Sequence, residues 1–145
     1  MSAALAAARR AERLGEVPVG AVVVVGGAIV ARAHNQTIQS CDPTAHAEVL
    51  ALRRAARKLG THRLSEADLF VTLEPCAMCV GAMIQARIRG LYFGCRDPKA
   101  GAVVSLYELA SDRRLNHRIP VHEGILEAAC RELLRGFFRA RRVKG

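Results

Sequence analysis

The chain has no run that approaches the roughly eighteen uninterrupted apolar residues a membrane span needs, and Met1 to Gly15 lacks the basic start, apolar middle and cleavage site of a secretion signal. These absences predict a soluble, cytoplasmic protein with no membrane partner. No internal repeat or low-complexity linker divides the 145 residues. That length holds one core comfortably and two poorly, so a single domain over residues 1–145 is expected. The 5 cysteines cannot all pair, and two of them form a C-x-x-C. That fits thiolates that bind metal or stay free in a reducing compartment better than a secreted disulfide framework. Acidic residues are scarce as well, with 13 Asp and Glu against 22 Lys and Arg, a net charge of +9. Most of the basic groups are arginine, the side chain suited to bidentate phosphate contacts. Charge alone leaves a nucleic-acid partner and a plain basic surface equally open.

What is present alternates between strand and helix patterns. Ser2 to Leu14 is alanine-rich with paired arginines and predicts a helix stopped by Gly15. Val19 to Val25 is apolar and β-branched, meets Gly26-Gly27 and resumes as Ala28 to Ala33, which predicts a β-hairpin. Asp42-Pro43 offers an N-cap and a first-turn proline for a helix carrying Val49, Leu50, Leu52, Ala56 and Leu59 at helical spacing up to Gly60. Asp68 to Leu73 reads as a buried strand, Cys76 to Ile88 as a helix before Gly90, and Leu91 to Gly94 as a further strand. Asp97 to Gly101 is turn-rich, Val121 is a strand centre, and Ile125 to Arg142 is a long final helix. The alternation predicts an α/β sheet with helices packed on its faces.

TAHAE, residues 44 to 48, and PCAMC, residues 75 to 79, carry the chemistry. Cys76 and Cys79 are three apart, so both sulfurs share one face of a first helical turn, where unpaired N–H groups and the positive dipole end stabilise thiolates. His46 starts a different helix, and one imidazole with two thiolates is an ordinary zinc ligand set. Two thiolates cancel the charge of the metal, so a water in the fourth position is acidified less than in an all-histidine site. A nearby base becomes useful, and Glu48 is the candidate. Residues two apart on a regular helix point about 200° apart, so His46 and Glu48 can converge only if the pair straddles an irregular helix start.

H-x-E with P-C-x-x-C is the signature of zinc nucleoside and nucleobase deaminases. The chain further resembles the bacterial tRNA-specific adenosine deaminases of the cytidine/deoxycytidylate deaminase superfamily. The resemblance runs through EVPVGAVVV (16–24), HNQ (34–36), DPTAHAEVLALR (42–53), LFVTLEPCAMCVGAMIQARI (69–88), FGCRDPKAGA (93–102), LNHRI (115–119) and FFRARR (137–142). It covers nearly the whole chain, and the GAMIQARI, RDPKAGA and FFRARR segments separate the tRNA branch from cytidine, guanine and riboflavin-pathway deaminases.

The resemblance implies a cytidine deaminase-like three-layer α/β/α domain with a central mixed five-stranded sheet. It implies one zinc per subunit held by His46, Cys76 and Cys79, with Glu48 taking a proton from the attacking water, delivering it to the purine ring, and later protonating the departing ammonia. The substrate would be the wobble adenosine, position 34, of a tRNA anticodon stem-loop, flipped from its loop and converted to inosine by attack at C6. Asn35 would hydrogen-bond the base edge and the Ala47 N–H would lie beside the ring. Asp97 and Lys99 would border the flanking nucleotides, and Phe138, Arg139 and Arg142 would meet RNA on the final helix. A homodimer in which each subunit helps bind RNA is expected. Two departures stand out. The start of the first helix lacks the aromatic residues common in relatives, from which a trimmed or different N-terminus is expected, and Cys41 and Cys95 take places usually filled otherwise.

Plainer readings compete with these. A structural zinc would be closed by a fourth ligand from Cys41, Cys95, His62 or His122, and Asn35 by itself is a turn residue. Phe137 and Phe138 would default to core packing, and Arg139, Arg141 and Arg142 to a solvated tail. His117 serves structure as readily as contact, and Cys41, Cys95 and Cys130 read as small buried or half-buried side chains. A non-catalytic RNA-binding module with structural zinc, and a deaminase of free guanine or cytidine, are the two rival functions.

Overall fold

The computed structural model describes residues 1–145. Nine main elements follow one another: α1 (Ser2–Arg13), β1 (Gly20–Val25), β2 (Ala28–His34), α2 (Ala47–Leu59), β3 (Ala67–Leu73), α3 (Ala77–Ala86), β4 (Gly90–Cys95), β5 (Val121–His122) and α4 (Glu127–Lys144). The strands form one mixed sheet in the order β2-β1-β3-β4-β5. β1 runs antiparallel to both β2 and β3, while β3, β4 and β5 run parallel. Helices α1 and α4 pack together over one face of the sheet, and α2 and α3 over the other. The result is the cytidine deaminase-like α/β/α arrangement with a mixed five-stranded sheet expected from the sequence.

Period-two alternation assigns each strand residue to a layer. Ala21, Val23, Leu69, Val71, Leu91 and Phe93 join Val80, Met83 and Ile84 of α3 and Ala51 and Leu52 of α2 in the main core. Side chains such as Phe93 and Leu69 are fully buried, and each contributes about 2 kcal/mol by leaving water. Gly20 faces α1, where a Cβ would overlap the Ala4 carbonyl oxygen and the Ala8 nitrogen, so a glycine here lets the helix lie directly on the strand. The hairpin closes through Gly26 and Gly27, both at positive φ (57° and 78°), the conformation a tight two-residue turn demands.

Two of the boundaries that differ from the sequence expectation do so for a clear local reason. The second helix does not begin at Asp42-Pro43. Asp42 spends its carboxylate on the Thr44 N–H (2.8 Å) and hydroxyl (2.7 Å), closing a turn that competes with a helix cap. The helix starts at Ala47, with His46 as its extended N-cap (φ −73°, ψ 149°). Helix α3 likewise stops at Ala86, where Arg87 turns left-handed (φ 60°), before reaching Gly90. Gly90 opens β4 instead, with Asp68 close against it in a position that pairs with Arg89.

Candidate active site

His46 caps α2 and Cys76 caps α3 (φ −78°, ψ 174°), so two helix N-termini meet at one point. Both caps are extended because neither residue is yet helical, which frees its side chain to reach across. His46 Nδ1 lies 3.6 Å from the Cys76 sulfur and 3.5 Å from that of Cys79. The ligand atoms of His46, Cys76 and Cys79 all fall within 4.8 Å of one another, an arrangement compatible with a metal ion. No further His, Cys, Asp or Glu joins them, and Cys41, Cys95, His62 and His122 all stand outside the cluster. The fourth side of the cluster therefore has no protein ligand of the kind a closed structural site requires.

Charge follows the geometry. The Cys79 thiol and the His46 ring, both hydrogen-bonded to Cys76, bring the Cys76 thiol down to about 4, while the shared hydrogen bond to Cys76 and burial push Cys79 the other way. The hydrogen bond to Cys76 raises the pKa of His46. Glu48, the second residue of α2, is 4 % exposed, and burial pushes its carboxyl above the usual range, against the opposing pull of the His46 ring. An extended N-cap followed by the first helical turn removes the roughly 200° divergence of a regular helix, so His46 and Glu48 address the same place. Ala47 between them is fully buried, and as the first helical residue its N–H has no partner within the helix.

Asn35 lies at the end of β2 in a buried position. Its amide nitrogen donates to a Glu16 carboxylate oxygen at 3.4 Å, and that carboxylate also accepts from Thr37 Oγ1 (3.4 Å), Ile38 N (3.3 Å) and Gln39 N (2.7 Å). Glu16 is fully buried. It organises the loop that leads from Asn35 toward His46, and residue-type reasoning missed it because an acidic residue beside an apolar run carries no spacing signal.

A second buried carboxylate, Glu74, holds the loop after β4. It accepts from the N–H groups of Asp97, Val103, Val104 and Ser105. Burial works to raise its pKa, but the Ser105 hydroxyl and these N–H groups outweigh it and hold the carboxyl below its usual 4.5.

Five of the residues singled out in the sequence share one groove beside this loop: Asp97, Lys99, Phe138, Arg139 and Arg142 line it together. Of the adjacent phenylalanines, Phe137 is buried at 7 % exposure and Phe138 exposed at 45 %. Arg141 lines the same groove, with its guanidinium 4.6 Å over the Phe137 ring and bonded to the Gly15 carbonyl. His117 Nε2 donates to the Ile88 carbonyl (2.9 Å), a structural bond. It also borders a separate basic hollow with Arg63, Arg87 and Arg89, at the end of α3 remote from Cys76.

Comparison with known proteins agrees with this geometry. The family described as MafB19-like deaminase matches residues 1–142. The chain is 46 % identical over 144 residues to the tRNA-specific adenosine deaminase of Bacillus subtilis, covering 99 % of this chain and 89 % of that one. A solved structure from work on A-to-I editing by tRNA:A34 deaminases superposes with a TM-score of 0.90 at 47 % identity, covering 92 % of this chain and 97 % of the other. The guanine deaminase of Nitrosomonas europaea is more distant, at 28 % identity and a TM-score of 0.82 over 94 % of this chain and 81 % of its own. The chain belongs to the MafB19-like deaminase family, in the branch of the tRNA-specific adenosine deaminases.

Proposed function

We propose that the protein hydrolyses the wobble adenosine, position 34, of a tRNA anticodon to inosine, releasing ammonia. The observation that carries this reading is the three-ligand cluster of His46, Cys76 and Cys79 with a buried carboxylate beside it that is not one of the ligands. In support, the Bacillus subtilis relative is a tRNA-specific adenosine deaminase, and the matching solved structure comes from work on A-to-I editing by tRNA:A34 deaminases at the wobble position.

The donor set fits zinc. Bond lengths of about 2.3 Å to sulfur and about 2.05 Å to nitrogen at tetrahedral angles put the two atoms about 3.5 Å apart, and the His46–Cys separations are 3.6 and 3.5 Å. Zinc, when bound, supplies the Lewis acidity that makes water a nucleophile near neutral pH. The chain supplies the rest. Glu48 takes a proton from the attacking water and passes it to the purine ring as the hydroxyl adds to C6; it then takes the proton of that new C6 hydroxyl and gives it to the amine, which leaves as ammonia as the C6 carbonyl forms. A carboxyl with its pKa raised by burial suits that exchange, because it must both accept and release a proton. The Ala47 N–H and the Asn35 amide flank the ring and fix the base in the plane the attack needs.

The nucleotides beside the flipped base would lie along the groove of Asp97, Lys99, Phe138, Arg139 and Arg142. An exposed ring next to guanidinium groups is the combination that stacks a base and holds its phosphate. This groove favours RNA over a free guanine or cytidine, neither of which has a phosphate to meet it. The five free cysteines suit a reducing cytoplasm, and no helix is long and apolar enough to cross a membrane. A homodimer sharing the RNA completes the reading.

The test is zinc content and inosine yield in the Glu48→Ala variant. Metal retained with turnover abolished supports the assignment, and turnover retained refutes the role of Glu48.

A further inference from the structure

Glu74 stands two residues before Cys76, at the end of β3, with 2 % of its surface exposed. It is not part of the metal cluster. All its hydrogen-bond donors come from the single segment 97–105. Oε1 accepts from Asp97 N (3.0 Å) and the Ser105 hydroxyl, and Oε2 from Val103 N (3.1 Å), Val104 N (2.8 Å) and Ser105 N (2.9 Å). One buried negative charge thus replaces the strand or helix partners these N–H groups would otherwise need. The segment wraps so tightly that a Cβ on Gly101 would collide with the Glu74 carboxylate. Two further bonds tie the same loop to the metal turn: Ala102 N donates to the Pro75 carbonyl (2.8 Å), and Cys76 pairs with Gly101 in an isolated bridge.

The loop held in this way carries Asp97 and Lys99. Asp97 uses Oδ1 on the Lys99 N–H (3.0 Å) and the Ala100 N–H (3.3 Å), so the orientation of its side chain depends on where Glu74 fixes its backbone. We propose that Glu74 is a positioning residue for RNA recognition, fixing the Asp97–Lys99 edge of the groove relative to the metal-binding turn at Cys76. The inference rests on the RNA reading given above. Glu74 is buried and outside the His46, Cys76 and Cys79 cluster, so its effect falls on how tightly the stem-loop binds rather than on the chemical step.

The test compares wild type, Glu74→Gln and Gly101→Ala, all zinc-loaded, on an anticodon stem-loop with adenosine at the wobble position. Bound zinc, kcat and KM are measured for each. The expected result is one zinc per chain, a KM raised about tenfold and a kcat within about twofold of wild type, the pattern of lost binding that the transition state and ground state share. A lower kcat at unchanged KM, or loss of zinc, would overturn the inference by showing that Glu74 holds the metal turn alone. Ser105→Ala, which removes one donor and keeps the charge, covers the case in which the other variants do not fold. An unchanged KM in that folded variant counts against the inference, and a rise of about threefold supports it. Failure of the RNA reading itself would show differently, as a wild-type protein that makes no inosine in the stem-loop.

Discussion

Glu16 accepts a hydrogen bond from the amide of Asn35 at 3.4 Å, and a carboxylate can only accept, so the Asn35 nitrogen must face Glu16 and its oxygen must face elsewhere. Asn35 would therefore offer an acceptor to the substrate. Replacing Glu16 with Ala frees the amide to flip and releases the loop at Ile38 and Gln39. The expected loss in kcat/KM on the stem-loop is about tenfold to a hundredfold, corresponding to about 1–3 kcal/mol for a buried group left without its partner. Glu16→Gln keeps one oxygen for the loop and should fall between wild type and Glu16→Ala. Equal activity in all three proteins would remove Glu16 from the account.

Glu48→Gln preserves shape and removes the carboxylate proposed to accept the proton. Single-turnover inosine formation should slow by at least about a hundredfold, the lower range for loss of a general acid–base group. Bound zinc should stay at one per chain by metal analysis, because the cluster of His46, Cys76 and Cys79 that could hold a metal does not include Glu48. Loss of the metal in this variant would instead make Glu48 a ligand.

The close approach of α1 to β1 is testable without reference to activity. Gly20→Ala would drive a Cβ into backbone atoms of Ala4 and Ala8, which have no rotamer through which to yield. Overpacking of this kind costs about 1–3 kcal/mol, visible as a lower midpoint in urea unfolding with an unchanged slope. A midpoint equal to that of wild type would mean that α1 lifts off the strand without cost.

Glu74 gives the fold a dependence on pH. Its folded pKa lies below the usual 4.5, so its contribution to stability is complete above about 4.5 and is lost as pH falls through the lower, folded value. Amide hydrogen exchange at Val103, Val104 and Ser105 should accelerate across that acid window, beyond the intrinsic pH trend of exchange. The Glu74→Gln variant should show no such step. A wild-type profile that matches the variant would contradict the assignment.

The fold was legible where period and punctuation agreed. The run of valines, the paired glycines at 26 and 27 and the helical spacing after Val49 each assign an element by local physics alone. The start of α2 was not legible, because Asp42-Pro43 satisfies the rules for a helix cap and also for the turn it forms with Thr44. His46, Cys76 and Cys79 came from a spacing that metal geometry constrains, so the sequence exposed them. Glu16 and Glu74 did not come that way, since a carboxylate that gathers backbone N–H groups from a distant loop has no partner residue type to search for. The separation of Phe137 from Phe138 likewise depends on the rotation of α4, which two adjacent aromatic residues leave open.

The most direct test of the central claim is inosine formation by the zinc-loaded protein on an anticodon stem-loop with adenosine at the wobble position, measured beside free adenosine, cytidine and guanine. The account requires inosine in the stem-loop and no turnover of the three free compounds. Turnover of a free base or nucleoside with none in the stem-loop would contradict it, and would leave the groove of Phe138, Arg139 and Arg142 as ordinary basic surface.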